Sequence, residues 1–309
     1  MNILKALLFT LAASSALCST AHSANDLEIM VFTSSEEHMG LGVNSALVMG
    51  EKDAVLIDAQ FTLSNAHRLA AEILESGKNL THIYVTHLHP DHFMGLPVLT
   101  QAFPNARVVS LAESADDINN AFDFKISYWG NEVLKQNGTK TKVFVESLDE
   151  PLIMLEGKRL EIVGPMQGDS ANGTGVWIPS IKTLVASDLV FNRAHPWIAD
   201  GKTPELRQAW LDALDQLAAL KPEVVVPGHA PSNDLLDPQA IEFTAEYIRI
   251  FSEKLKSSEN GDQIIAEMSA LYPDASLMFA LEYSARILRD DYKWEGEWPP
   301  ELRATEVVR

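Results

Sequence analysis

Cysteine and basic side chains are scarce in this sequence. Its 309 residues contain one cysteine, and 24 Lys and Arg stand against 43 Asp and Glu, a formal net charge of −19. One cysteine cannot form an internal disulfide, which excludes a disulfide-scaffold protein. The negative charge repels phosphate backbones and argues against a nucleic-acid partner. With 46% hydrophobic and 22% charged residues, the chain has the composition of a globular protein.

The N-terminal residues 1–23 have the features of a secretory signal peptide. Lys5 is the only charged residue, residues 6–17 are apolar, and Ala21 and Ser23 are small residues at −3 and −1 of a cleavage site after Ser23. The apolar stretch is shorter than the ~20 residues of a transmembrane helix, and no later stretch is apolar enough to span a membrane. The sequence therefore predicts an exported, most simply periplasmic protein with one domain over residues 24–309.

Strand-like and helix-like patterns alternate in residues 24–309, which predicts an α/β fold. Ser64 is the predicted cap of a first helix that Gly77 ends, and Thr203 caps a second helix that runs to Leu220. Helices are also predicted after Pro238. The predicted strands cover residues 27–33, 45–49, 54–57, 83–85, 142–145, 159–163, 175–178, 183–186 and 223–226.

Residues 112–142 are polar but include several aromatics. Two interpretations are open for this segment. It is either an inserted cap near a site or a peripheral helical excursion.

The strongest chemical signal is the stretch Thr86-His-Leu-His-Pro-Asp-His92. His87 and His89 are two residues apart, so a loop can point both the same way. Asp91 and His92 are adjacent and point differently, so the segment can serve two metal ions. Imidazole and carboxylate ligands suit zinc, iron or manganese.

This motif resembles the signature of the metallo-β-lactamase-fold hydrolases, and the similarity covers roughly residues 43–229. The resemblance implies a four-layer αββα sandwich and a dinuclear site. Asp188 ends a predicted strand, as does the bridging aspartate of the branch similar to glyoxalase II and lactonases. The ligands implied by the resemblance are His87 and His89 at the first metal, Asp91, His92 and His229 at the second, and Asp188 between them.

One expected ligand departs from the family pattern. Counting back from Pro179, the position of the expected histidine is occupied by Gln167. A glutamine oxygen is a neutral and weaker ligand than imidazole. Three arrangements are open, of which we expect the first: Gln167 binds the first metal, Asp169 replaces it, or the first site is empty.

The resemblance implies an exported hydrolase with two divalent ions, zinc being favoured over manganese or iron. A metal-bound hydroxide would attack a carbonyl ester-type bond in a small molecule, namely a lactone, ester, thioester or lactam. Asp91 would then pass a proton to the leaving group. The alternatives are a periplasmic β-lactamase, and a metal-binding relative without turnover because of Gln167.

Two further residues are candidates outside the ligand set. Asp58 follows a buried strand, and the resemblance implies that it orients a ligand histidine; a simple turn residue is the alternative. His195 follows Asp188 closely and is a candidate for the substrate pocket, with a plain surface loop as the alternative.

Overall fold

Two mixed β-sheets form the centre of the computed structural model, which describes residues 27–299. The predicted signal peptide lies outside the described residues. The first sheet has the order β1-β2-β3-β4-β5-β6 and the second the order β11-β10-β9-β8-β7. The strands of the first sheet are β1 (Glu28–Thr33), β2 (Asn44–Met49), β3 (Asp53–Ile57), β4 (Asn79–Tyr84), β5 (Arg107–Ser110) and β6 (Glu146–Ser147). Those of the second are β7 (Leu152–Leu155), β8 (Lys158–Met166), β9 (Gly173–Ile178), β10 (Thr183–Phe191) and β11 (Val224–His229).

Helices cover the outer face of each sheet. Helices α1, α3 and α4 contribute to the apolar cluster on the first sheet, and α5 to α8 contribute to the cluster on the second. A π-helical turn, Ile126–Val133, continues α4. The helices are α1 (Leu63–Glu75), α2 (Pro90–Phe93), α3 (Leu96–Ala102), α4 (Ala112–Lys125), α5 (Pro204–Ala219), α6 (Gln239–Ser257), α7 (Gly261–Leu271) and α8 (Met278–Asp290).

A third apolar cluster lies between the two sheets. Val48 and Ile57 from the first sheet belong to the same buried cluster as Val185 and Val226 from the second. Burial of one such side chain stabilises the fold by roughly 1.5–3 kcal/mol. Three clusters alternate with two sheets, so the predicted four-layer αββα sandwich is confirmed. Within residues 27–299, no helix is both long enough and apolar enough to cross a membrane.

Parallel strands bring the carboxyl ends of several strands to one edge of the sandwich. β3, β4 and β5 pair in parallel in the first sheet, and β10 and β11 do so in the second. An isolated bridge between Val43 and His229 joins the two sheets near this edge. Loops that follow parallel strands meet at such an edge, which is where open α/β sheets place their sites.

Several predicted element bounds need correction. α1 is capped by Thr62 rather than Ser64, because the Thr62 hydroxyl accepts a hydrogen bond from the amide of Asn65. Residues 142–145 do not form a strand; pairing with β5 begins only at Glu146. The cap at Thr203 is confirmed, since its hydroxyl accepts from the Leu206 amide.

Candidate metal centre

The histidine-rich stretch lies directly beyond β4, at the edge where the parallel strands end. His87 and His89 lie in the connecting loop, and Asp91 and His92 lie in the short helix α2. Pro90 is the first residue of α2, where its missing N–H costs no helical hydrogen bond. The rings of His87 and His92 nevertheless lie 4.4 Å apart.

Four side chains form a first group that could hold a metal ion: His87, His89, Asp169 and Asp188. One ligand atom from each lies within 4.8 Å of all the others. Asp169 Oδ2 is 2.6 Å from His89 Nδ1, and Asp169 Oδ1 is 3.8 Å from His87 Nε2. Asp169 precedes β9 and comes from the second sheet's side of the edge.

A second group of the same kind consists of Asp91, His92 and His229, again with ligand atoms within 4.8 Å of one another. Asp91 Oδ2 lies 3.3 Å from His229 Nε2 and 3.7 Å from His92 Nε2. The chain positions of these residues span both sheets, since His229 ends β11.

Asp188 of β10 lies between the two groups. Its Oδ1 is 3.1 Å from His92 Nε2, and its Oδ2 is 3.2 Å from His229 Nε2 and 3.6 Å from His87 Nε2. One carboxylate therefore faces histidines of both groups, which is the geometry that a bridging ligand requires.

The outer ring nitrogen of three histidines is fixed by an oxygen. His92 Nδ1 lies 2.8 Å from Asp58 Oδ2, and His229 Nδ1 lies 2.8 Å from the carbonyl oxygen of Leu41. His87 Nδ1 is 2.9 Å from the Thr86 hydroxyl. Such partners fix the tautomer and orient the inner nitrogen towards the centre.

Asp58 contacts His92, one of the histidines that the resemblance implies as ligands. Its carboxylate also accepts hydrogen bonds from the Thr86 amide and hydroxyl and from the Ser187 hydroxyl. Asp58 is buried, with 1% of its surface exposed, so it is more than a simple turn residue.

Asp200 is a neighbour of the centre that sequence reasoning missed. Its Oδ2 lies 3.2 Å from His89 Nε2 and accepts a hydrogen bond from Trp197 Nε1. Asp200 lies in a loop between β10 and α5, far in sequence from His89, and no motif surrounds it. Only the folded chain brings the two together.

Neighbouring charges shift the pKa values of the centre strongly. Burial alone would lower the pKa values of the histidines, but Asp169 raises the pKa of His89 to about 10 and Asp188 raises that of His229 to about 10. Burial and the nearby His92 keep the pKa of His87 well below its usual value. Burial raises the pKa of Asp169 to about 7. The cluster therefore combines closely spaced carboxylates with imidazoles in different protonation states.

The donor set fits divalent metal ions. Three polar atoms of the two groups are buried and have no hydrogen-bond partner among the described residues: His87 Nε2, His92 Nε2 and Asp188 Oδ1. The last two of these atoms lie 3.1 Å from each other. Buried polar atoms are rarely left unpaired. Imidazole nitrogens and carboxylate oxygens converging in this way are the ligands of zinc, iron and manganese sites.

Gln167 and His195 are the two remaining candidates from the sequence. The Gln167 amide nitrogen donates to the carbonyl of Gly168 at 2.9 Å, and the His/Asp group nearest to it includes Asp169. His195 is fully buried, with Nδ1 2.8 Å from the Tyr247 hydroxyl, and burial lowers its pKa to about 4. It packs under α6 and is not among the described residues that line the cavity below.

Gly228 is a second residue that sequence reasoning did not single out. A Cβ at this position would lie 1.7 Å from Asp188 Oδ1 and 2.7 Å from the backbone carbon of Ser187. The Pro-Gly-His stretch therefore carries a signal besides its histidine, because only glycine leaves room for the Asp188 carboxylate.

A cavity of about 990 Å³ opens onto the centre and is lined in part by His89, Asp91, Asp188 and His229. Other parts of its lining come from α4, the π-helical turn, α8 and the residues after α8. The aromatic-containing segment 112–142 thus forms helices, and part of them lines this cavity. A substrate-sized space therefore adjoins both His/Asp groups.

Comparisons with known proteins agree with this architecture. A family model described as the metallo-beta-lactamase superfamily matches residues 38–229. The chain is 24% identical to a metallo-beta-lactamase type 2 from Pseudomonas aeruginosa over 67% of this chain and 76% of that protein. It is also similar in fold to a metallo-beta-lactamase family protein from Thermus thermophilus, with 18% identity and a TM-score of 0.60 over 83% and 90% of the two chains. A metallo-beta-lactamase from Pontibacter korlensis is 20% identical, with a TM-score of 0.56 over 72% and 95%.

Proposed function

The chain belongs to the metallo-beta-lactamase superfamily, whose members are generally metal-dependent hydrolases, and from this membership and the two His/Asp groups we propose that it hydrolyses a carbonyl ester-type bond. Lactones, esters, thioesters and lactams are the bonds considered. The observation that carries the proposal is the position of Asp188, whose Oδ1 lies 3.1 Å from His92 Nε2 of the second group and whose Oδ2 lies 3.6 Å from His87 Nε2 of the first.

The proposed ligands follow the two groups. His87, His89 and Asp169 would hold a first ion, and Asp188 would be shared with a second. Asp169 replaces Gln167 in this assignment because its carboxylate, and not the glutamine amide, lies within 2.6 Å of His89 Nδ1. The second ion would be held by Asp91, His92 and His229. Zinc is the proposed metal, with manganese or iron as alternatives that the added carboxylate would also suit.

Two divalent ions, once bound, would supply Lewis acidity and lower the pKa of a water molecule near neutrality. The chain's own residues hold and orient the reacting groups. Asp58 fixes the ring of His92, and Asp200 fixes the ring of His89. The Asp91 carboxylate lines the cavity and is the candidate to hold a proton for the leaving group. Burial would raise the pKa of Asp91, but His92 and His229 keep it below its usual range.

Export to the periplasm is part of the proposal. It is supported by the apolar N-terminal stretch and the small residues before position 24. An N-terminal sequence determined on protein purified from a periplasmic extract would test it, since cleavage after Ser23 predicts a mature chain that begins at Ala24.

Elemental analysis combined with a substrate screen tests the hydrolase proposal. We expect two ions per chain after dialysis against zinc, and turnover of at least one generic ester, lactone or thioester. Asp188→Ala should abolish both the binding of two ions and the turnover. Asp215 is an exposed aspartate of α5, and Asp215→Ala should change neither metal content nor turnover. Two bound ions without turnover across the panel would contradict the hydrolase and favour a metal-binding relative without activity.

A β-lactam substrate is the second candidate, favoured by the 24% identity to a metallo-beta-lactamase type 2. The screen therefore includes a penicillin and a cephalosporin. Hydrolysis of these compounds but not of esters would replace the leading proposal with this one.

A further inference from the structure

An aromatic wall extends from the candidate metal centre into the cavity. It consists of Trp129, Trp197, Phe279 and Trp294, all of which line the cavity. The Trp197 ring lies 6.4 Å from that of His89 and stacks on Phe279 at 5.7 Å. Trp294 lies 5.2 Å from Trp197 and 5.6 Å from Trp129. The wall therefore offers a large apolar surface next to the place where the reacting bond would be.

The charges around the same cavity are mostly negative. Among the residues that the structure describes, nine carboxylates line it, against two lysines. Three of the carboxylates are exposed and lie at the rim of the cavity: Glu113, Asp116 and Glu205. We call these three residues the acidic rim. Of the two lysines, Lys202 pairs with Glu297. Two divalent ions would not balance nine carboxylates, so a negative potential remains at the cavity.

Besides Asp188, two buried polar groups of the cavity lining lack a hydrogen-bond partner within residues 27–299. Trp129 Nε1 and Ser170 Oγ make no hydrogen bond, although only 5% and 3% of these residues is exposed. An indole N–H can only donate. A buried donor of this kind calls for an acceptor on a ligand, and a neutral carbonyl or ether oxygen supplies one without adding charge.

We propose that the substrate is an uncharged carbonyl compound whose non-reacting part is a bulky aromatic or apolar group with a neutral oxygen acceptor. The aromatic wall binds the apolar part, Trp129 Nε1–H donates to the acceptor, and the acidic rim rejects anionic substrates. This inference rests on the proposed hydrolase function and selects among its substrates. It disfavours β-lactams, which carry a carboxylate.

The test compares matched p-nitrophenyl esters of phenylacetic acid that differ only in the para group. One carries a methyl ester, a neutral acceptor, and the other carries a free carboxylate. With the zinc-loaded protein, we expect kcat/KM for the anion to be lower by about tenfold or more, because like charges face each other across the site. Equal or faster turnover of the anion would overturn the proposal.

Rim variants separate charge from shape. Replacement of the acidic rim by E113Q, D116N and E205Q should raise kcat/KM of the anionic ester by roughly threefold or more at low salt, since screened surface charges act weakly but additively. The neutral ester should change by less than about twofold on the same argument. The matched control carries E72Q, E75Q and D149N at exposed positions outside the cavity lining. An equal gain in the control would show that net charge, and not the rim, is responsible.

A binding measurement distinguishes this inference from the hydrolase proposal itself. Once a chelator has removed the metal ions, the carboxylate of a probe can no longer bind to the protein through a metal. Quenching of tryptophan fluorescence then reports binding of the probe to the aromatic wall. We expect p-methylacetophenone to quench at lower concentration than p-toluate, and W129F to weaken the ketone selectively. A preference for the ketone without hydrolysis of any ester would refute the hydrolase alone. Quenching by p-toluate at equal or lower concentration would refute the substrate class.

Discussion

The carboxylate of Asp169 lies 2.6 Å from Nδ1 of His89, while the amide of Gln167 donates to the backbone of Gly168. A carboxylate in this place adds one negative charge to the first group. Together with Asp188 it would neutralise a divalent ion. An oxygen ligand in place of imidazole also shifts the preference of a site towards harder ions such as manganese.

Replacement of Asp169 by alanine should remove the first ion. We expect the affinity of that site to fall by roughly 100-fold or more, exceeding the 10–100-fold typical of outer partners. Zinc content after dialysis should then drop from two ions per chain to one. D169H should retain both ions, because imidazole is an equally good zinc ligand.

The control for this prediction is Q167A, which should leave zinc content unchanged. Loss of an ion in Q167A but not in D169A would restore the glutamine as the ligand. Circular dichroism of both variants would establish that the fold is intact.

The difference between Gln167 and Asp169 shows where sequence reasoning reached its limit. The motif from His87 to His92 is contiguous, so its spacing indicated two pairs of candidate ligands, and the structure places one pair in each His/Asp group. The third residue of the first group comes from a loop, and counting from Pro179 depends on loop length, which spacing cannot fix. The contact between His89 and Asp200 joins distant segments and leaves no local pattern at all.

The fold was more predictable than the site because its signals are local. Buried strands such as β3 and the capped helix α5 follow from apolar runs and from Thr203. Residues 142–145 have the apolar pattern of a strand, but only the next two residues, Glu146 and Ser147, pair with β5. His195 follows Asp188 closely in sequence, yet its side chain is buried against Tyr247. Proximity to Asp188 in sequence does not report the direction in which a loop turns.

Replacement of Asp200 by asparagine should weaken the first site and leave the second unchanged. Asp200 accepts hydrogen bonds from His89 Nε2 and Trp197 Nε1. Asparagine carries no charge, so the His89 imidazole would lose the charged partner that orients it. We expect metal affinity at the first site to fall about 10- to 100-fold. Stepwise zinc titration with a chromophoric chelator measures the two sites separately.

E205Q is the matched control for Asp200, since Glu205 lines the same cavity but makes no contact with a histidine. An equal loss of affinity in E205Q would mean that the charge of the cavity matters and the orientation of His89 does not.

Metal binding should release protons at neutral pH. His89 and His229 have pKa values of about 10 in the metal-free protein and therefore hold protons at pH 7. Metal ligation requires neutral imidazole, so loading both sites should release about two protons or more, and affinity should rise as the pH approaches 10. Isothermal titration in buffers of different ionisation heat gives the proton count. Release of less than one proton would contradict the prediction.

The same shifts set the stability of the metal-free protein. The folded pKa of each histidine lies above the unfolded value of 6.5, so the stabilisation is full below pH 6.5 and is lost as the pH rises through about 10. The free energy of unfolding, measured by urea denaturation, should therefore be smaller at pH 10 than at pH 7. A larger value at pH 10 would mean that His89 and His229 are neutral in the folded chain.

Gly228→Ala should disable the centre although it replaces no proposed ligand. The new Cβ would lie 1.7 Å from Asp188 Oδ1 and 2.7 Å from the Ser187 backbone, so β10 or the carboxylate must move. Overpacking of this kind costs about 1–3 kcal/mol of unfolding free energy. Displacement of Asp188 should also lower the affinity for both ions, because Asp188 faces both groups. Gly173→Ala is the control, since its Cβ would meet the flexible side chain of Leu189 at 3.2 Å. Normal zinc content in G228A would show that the position of the Asp188 carboxylate does not depend on the absence of a side chain at residue 228.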